Sequence, residues 1–289
     1  MKFGVREICD VFLKTKVANQ IVGNKTVAKK GTPVCHFDTL KTSSVEGAAT
    51  MVYAQGGKGN PRLVAWEGER TLTFTMEDAL ISTVGISLLT GAGLIESTSN
   101  DPLPMHVTIK DKAKEGKISL KDAVYIAEGD EDDYPIYYIA LNDEGDPEGD
   151  FTELTGVSSG VSEITIPEGA NGSYMIDYYT QKTAGLTQID IEPDKFGGNY
   201  YLEASTLFRA QNGKDYEAEF IIPNCKIQSN FTFTMASSGD PSTFTYTIDA
   251  FPGVTKYNSA KKVLCAIQMF EDIPTASSSA KPFNYNEEI

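Results

Sequence analysis

Apolar and polar residues alternate through Thr71–Thr75, with Leu72 and Phe74 set against Thr71, Thr73 and Thr75. A period of two rich in Thr predicts a half-buried strand. The period then changes. Thr75 can cap a helix, Asp78 takes the place of a capping-box acid, and Glu77 lies where the helix dipole favours negative charge. Leu80, Ile81, Val84 and Leu88 follow at helical spacing. They predict a helix over about 76–90 with those four residues as its core face. Gly91 and Gly93 then supply positions tolerant of the left-handed conformation that ends helices.

Nearly everything else has the pattern of strand and turn. Residues 1–35 form an arm leading into a strand. Ala48–Ala54 and Arg62–Glu67 are strands joined by a loop whose Gly56, Gly57, Lys58 and Gly59 precede Asn60-Pro61. After Leu94 a turn-rich connector with Pro102 and Pro104 leads into short strands separated by acidic or Gly-rich turns, among them Ile118–Leu120, Ile136–Leu141, Ser162–Ile166 and Ser173–Tyr179. In the last third, Tyr200–Arg209 and Asp215–Ile222 flank Asn212-Gly213, a strong hairpin pair. Lys226–Met235 is expected to face Ser242–Phe251, and Val263–Phe270 is the final strand. The tail from Pro274 is expected to fray. These patterns divide the chain into one domain from residues 1–110 and 195–289, and an inserted β-rich domain from 111–194.

Charge sharpens that division. The 289-residue chain has a formal net charge of −15. From Asp122 to Gln181 there are fifteen acidic residues and no Lys or Arg, so the rest of the chain, with 25 of each sign, is neutral. Met1–His36 by contrast holds seven bases against Glu7 and Asp10. Such polarity suits complementary contacts between copies and argues against a nucleic-acid grip through the acidic block. No apolar run reaches the roughly 18 residues of a membrane span. The charged N-terminus lacks the core of a signal peptide, which leads to the expectation of folding in a cytoplasm. Cys9, Cys35, Cys225 and Cys265 stand far apart and are expected as reduced, packed thiols.

Catalytic chemistry finds no foothold. His36 and His106 lie near no nucleophile motif. Gly56-Gly57-Lys58-Gly59 lacks the register of a phosphate-binding loop and opens no helix. Asn142, Glu144, Asp146, Asp150 and Glu153 have EF-hand-like spacing, but Pro147 stands where that loop needs Gly and a strand precedes it, so solvated acidic turns are the expectation. No catalytic, cofactor or metal site is expected, and the chain is not expected to be an enzyme.

T-F-T-M-E-D-A-L-I-S followed by L-L-T-G-A-G-L, with the preceding Tyr53–Trp66 loop region and its G-G-K-G-N-P, resembles bacteriophage tail tube and related virion structural proteins. So does F-R-A-Q-N-G-K-D-Y-E-A-E-F-I-I-P-N-C-K-I-Q-S-N-F-T-F-T-M with G-D-P-S-T-F-T-Y-T-I-D-A-F-P. Together these stretches cover Ala48–Leu94 and Tyr200–Pro252. The resemblance implies a mainly β fold: a tail-tube-like β-sandwich flanked by one α-helix, here with an inserted acidic β-rich segment. It further implies a homo-oligomer of hexameric rings closing an inner β-barrel and stacking through loops and N-terminal arms. Viral DNA would pass through without specific binding, and tail sheath, baseplate and tail terminator proteins would be neighbours, with assembly in the host cytoplasm and no membrane. An acidic lumen repels phosphate, and Glu203, Asp215, Glu217 and Glu219 on the Asn-Gly hairpin are its candidates. The loop Gly56, Gly57, Lys58, Gly59 is the inter-ring candidate. The alternative is a virion decoration or adhesin-like binding protein whose β insertion is the working part.

Overall fold

A computed structural model describes residues 2–5, 7–126, 134–167, 171–239 and 242–270. The tail from Pro274, with Glu287 and Glu288, lies outside the described residues, as do Asp240-Pro241 and the acids Glu128, Asp130, Glu131, Asp132, Asp133 and Glu168.

The first strands are β1 (Phe3–Val5), β2 (Asp10–Thr15), β3 (Gln20–Val22), β4 (Lys25–Val27) and β5 (Pro33–Phe37). Two long strands, β6 (Leu40–Gln55) and β7 (Arg62–Asp78), lead into helix α1 (Thr83–Thr90) and β8 (Leu94–Glu96). Then come β9 (Leu103–Lys112), β10 (Lys117–Ser119), β11 (Tyr137–Leu141), β12 (Pro147–Glu153), β13 (Glu163–Thr165), β14 (Ser173–Lys182) and β15 (Thr187–Ile189). The chain finishes with β16 (Asn199–Ala210), β17 (Asp215–Ile227), β18 (Phe244–Ala250), β19 (Gly253–Val254), β20 (Lys262–Val263) and β21 (Ala266–Met269). A mainly β fold with a single helix among the described residues is what the pattern predicted.

The chain separates into two units, residues 1–94 with 189–289, and residues 95–188. The boundaries expected from composition, at 110/111 and 194/195, differ from these. The reason is pairing: β9 lies antiparallel to β14 from Leu103 opposite Lys182 to Lys112 opposite Ser173, so the whole of β9 goes with the inserted unit.

In the first unit nine strands form one antiparallel sheet, ordered β5-β2-β16-β17-β18-β7-β6, with β1 beside β16 and β21 beside β17. The strands at the two ends of that order are consecutive in the chain, since only Asp38 and Thr39 separate β5 from β6. The sheet therefore curls until both ends line one core. Leu13 and Phe37 from one end, Phe74 and Met76 from the other, and Leu202, Ile222 and Ile248 between them share it with Leu88 and Leu89. The β16–β17 hairpin turns at Asn212-Gly213 as the sequence predicts, with Gly213 at φ 82°, a left-handed value open to Gly.

The helix differs from its prediction. Strand pairing continues through Thr75, which lies opposite Thr247 on β18 and Ser44 on β6, to Asp78 at the end of β7. Phe74, Met76 and Asp78 are all buried, so the period of two runs four residues further than Leu72 and Phe74 alone suggested. Asp78 caps no helix at Thr75; its carboxylate accepts from the Thr39 hydroxyl at 2.5 Å and the Leu80 N–H at 3.2 Å. Ser82 is the cap instead, its Oγ accepting from the Gly85 N–H at 2.9 Å. Gly91 ends the helix in the left-handed conformation, φ 74°. With the start moved to Thr83 the buried positions become Gly85, Ser87, Leu88, Leu89 and Thr90. Of the expected core face only Leu88 is buried. Leu80 and Ile81 precede the helix and are 65% and 43% exposed, and Val84 on its first turn is 38% exposed.

The inserted unit has its own core. A four-stranded sheet ordered β12-β11-β14-β9 and the β10–β13 pair enclose Ile118, Leu120, Val124, Ile136, Ile164, Ile166, Ile176 and Tyr178.

Candidate functional site

The sequence placed a mobile loop at Gly56–Gly59. The structure puts that loop at the tip of a hairpin far longer than the predicted strands. The base of β6 and β7 belongs to the curled sheet, because β18 pairs with β7 from Thr73 to Asp78. Beyond this, from Gly47 to Gln55 and back from Arg62 to Leu72, the two strands pair only with each other among the described residues. Almost every residue of this arm is exposed. Nine residues of strand reach about 30 Å. At the tip, the Gly56 N–H donates to the Pro61 carbonyl at 3.3 Å and the Asn60 N–H to the Gly57 carbonyl at 3.1 Å. Gly57 and Gly59 take φ of 82° and 86° there, values that explain the glycines without a ligand. Lys58 is exposed between them.

The arm's two faces differ. Val52 lies opposite Trp66, and Ala54 opposite Val64. By alternation these four share one face, which carries no charge. Trp66 is 55%, Val52 60% and Val64 49% exposed. On the other face Arg62 covers the Tyr53 ring at 4.0 Å, and Met51 lies opposite Glu67. Leu63 adds further exposed apolar surface at 64%. Sequence reasoning had recognised both strands but not this face. The signal available was Trp66 and Val52 at matching positions across a hairpin that, among the described residues, no helix or second sheet covers.

The four candidate acids fall on one face of β16 and β17, the face turned from the core. Glu203 lies opposite Ile221, Ser205 opposite Glu219, Leu207 opposite Glu217 and Arg209 opposite Asp215. Their charges are not equivalent. Glu203 is largely buried and held by Lys14 and Lys256 together, the latter at 2.8 Å and also over the Tyr201 ring. Burial favours its neutral form, but the two lysine hydrogen bonds outweigh burial and lower its pKa. Asp215 is bound bidentately by Arg209 at 2.5 and 2.7 Å, which lowers its carboxyl pKa. Neither acid therefore presents a free negative charge. Glu217 and Glu219 make no ion pair among the described residues. Glu219 has its pKa raised, first by burial and then by Glu203. Glu7 and Asp10, which the sequence reading did not single out, line the same shallow groove as Glu217 and Glu219. Ser205 lies opposite Asp10 on one side and Glu219 on the other, so the three form a row across the sheet.

Other candidates are placed plainly. His36 stacks on Phe12 at 4.0 Å, and His106 lies 2.5 Å from Asp177 beside Tyr179 on an exposed face of the inserted sheet. At the EF-hand-like spacing, Asn142 folds into a local turn, its Oδ1 accepting from the Glu144 and Asp146 N–H groups. Among the described residues no group of three or more His, Cys, Asp or Glu is arranged to hold a metal ion. No helix of the described residues is long and apolar enough to cross a membrane.

No curated protein matches the chain by sequence. A family model does match, over residues 16–263. That span takes in the arm, the helix, the inserted unit and the β16–β17 face, and it places the chain in the YomU/Tube protein family, a phage tube-like structural protein of the virion tail.

Proposed function

We propose that this protein is the repeating subunit of a phage tail tube, assembling into stacked rings, hexameric in the reading the resemblance gives, whose lumen conducts viral DNA. The observation that carries this reading is the arm: a hairpin of about 30 Å with an uncharged apolar face is costly to leave in water and is the kind of surface that proteins cover with another chain. The arm tip at Gly56–Gly59 is then the contact from one ring to the next. The groove of Glu7, Asp10, Glu217 and Glu219 supplies lumen charge, repelling phosphate so that DNA slides without binding. Glu203 and Asp215 contribute to the fold of that wall and not to its field. Assembly takes place in the host cytoplasm, and sheath, baseplate and terminator proteins are the partners at the tube's surface and ends.

The test is direct. Purified protein is concentrated and imaged by negative stain. Tubes about 100 Å wide, the scale expected for a ring of six domains of this size, support the reading. A chain that stays monomeric at every concentration favours a decoration or adhesin-like protein, with the inserted unit as its working part.

A further inference from the structure

A groove of about 580 Å³ runs beside the root of the arm, between Gly47–Ala49 of β6, Arg70–Leu72 of β7 and the segment Lys262–Cys265 that leads into β21. All of it belongs to the first unit. Strand pairing explains why it exists. β18 pairs with β7 only from Thr73 to Asp78, so no strand lies beside Arg70–Leu72 on that edge among the described residues. β6 contributes only Gly47, Ala48 and Ala49 to the groove, which leaves room for side chains from another segment.

The charge of the groove is one-sided. Arg70 and Lys262 line it, and no acid does. Arg70 meets Glu67 only at 4.0 Å, with the two side chains 72% and 70% exposed, a pair worth little. Lys262 forms no ion pair among the described residues. Leu72, Val263 and Leu264 line the same groove half-buried and offer apolar contact. The complementary ligand is an extended segment that carries apolar side chains and then acids.

The chain itself holds such a segment. Residues 271–289 lie outside the described residues, and their sequence has two parts. Glu271–Pro282 is twelve residues long, eight of them Ser, Ala, Thr or Pro, the composition of a linker. Phe283-Asn284-Tyr285-Asn286-Glu287-Glu288 follows, two aromatic residues at a period of two and then adjacent acids. We propose that Phe283–Glu288 docks in this groove of its own chain, with Phe283 and Tyr285 against Leu72, Val263 and Leu264, and with Glu287 and Glu288 facing Arg70 and Lys262.

Reach selects this segment and this copy. β21 carries the chain about 17 Å away from Cys265 by Phe270. A linker of twelve residues has a root-mean-square span of about 20 Å. The segment therefore meets its own groove at an effective concentration on the order of millimolar, which no tail of another copy matches in dilute solution. Glu271 and Asp272 are excluded, since two residues span only about 7 Å. The contact needs no second copy and does not depend on the tube reading.

Carbodiimide coupling of the intact chain, dilute and unassembled, reads the contact, because it joins an amine to a carboxylate only where the two touch. The expected product links Lys262 to Glu287 or Glu288. In an equimolar mixture of unlabelled and isotope-labelled chains, both halves of that product carry the same label. Its yield falls at least about fivefold in about 0.5 M salt, in Arg70→Glu, and in Phe283→Ala combined with Tyr285→Ala. Arg70→Glu keeps the wild-type Tm, since the side chain is 72% exposed. Absence of the Lys262 product, coupling of Glu287 and Glu288 to Lys41 or Lys58 as often as to Lys262, or products of mixed label overturn the proposal. Should Arg70→Glu misfold, the salt dependence and the labels of the wild-type product decide.

Discussion

Truncation of Trp66 isolates the arm's contribution to assembly. The side chain is 55% exposed and lies beside Val52 and Val64 on an uncharged face. A Trp buries up to about 250 Å², so roughly 140 Å² of it remains to be covered. At about 25 cal/mol per Å² that is about 3.5 kcal/mol per arm contact. Ala keeps a small share of this area, which leaves a loss of about 3 kcal/mol, or about a hundredfold in each copy-to-copy equilibrium. Trp66→Ala should therefore raise the critical concentration for tubes by about two orders of magnitude in a pelleting assay. Its Tm as a single chain should fall by about 2–4 °C, since the part of the ring already covered is a cross-strand contact worth about 1 kcal/mol. Since Trp66 is the only tryptophan, its fluorescence reports on the contact without labelling: emission shifts to the blue and iodide quenching falls when wild-type chains assemble. Unchanged emission on assembly, or Trp66→Ala tubes at the wild-type concentration, would refute the assignment of this face.

Three further expectations concern the fold and its charges. Leu88→Ala should cost about 2–5 kcal/mol in urea unfolding, as a fully buried leucine does, whereas Leu80→Ala, at a position 65% exposed, should change stability by less than about 0.5 kcal/mol. Glu203→Gln should lose about 1–2 kcal/mol at pH 7, the worth of hydrogen bonds to charged groups discounted for the half-exposed Lys256. The folded-state pKa of Glu203 lies below its ordinary 4.5, so the wild-type advantage is full above that value and vanishes as pH falls through the lowered pKa. Glu219→Gln should act in the opposite sense. Its pKa is raised by burial and by Glu203, so ionisation at neutral pH opposes folding. Removing the charge should raise Tm by about 1–3 °C at pH 7, a gain that closes as pH falls below the raised pKa.

Local pattern was enough to reveal the elements whose partners are close in sequence. The Asn212-Gly213 hairpin needs only its own turn, and Gly91 needs only its φ. Errors arose where distant segments compete. Thr75 satisfies the rules for a helix cap, yet β6 and β18 offer it two strand partners, and Met76 and Asp78 are buried only because both are present. Thr232–Met235, expected to continue the strand that faces β18, lies beyond the end of β17 at Ile227 and belongs to no described strand. For the site, the acids of the β16–β17 face were legible as an alternating set, but pairing with Lys14, Lys256 and Arg209 was not, because Lys14 and Lys256 come from remote parts of the chain. The arm's apolar face was missed for a related reason. A strand with one apolar side is ordinarily evidence of a core, and only the sheet order and the exposure of Val52, Val64 and Trp66 show that no described residue covers it.

The continuity of β7 has a mechanical consequence. One unbroken strand, Arg62–Asp78, runs from the arm's tip into the sheet between β18 and β6 and stops four residues before the Ser82 cap of α1. At about 3.3 Å per residue it is some 55 Å of peptide. A pull on the tip along the hairpin is shared by all the β7 hydrogen bonds to β6 and β18 at once, a shear geometry, instead of opening them one by one as in peeling. The arm is thus a cantilever rooted in the core through the buried Phe74 and Met76. Stretching or bending of an assembled tube would load the rows flanking Phe74 and Met76 before any of the loops.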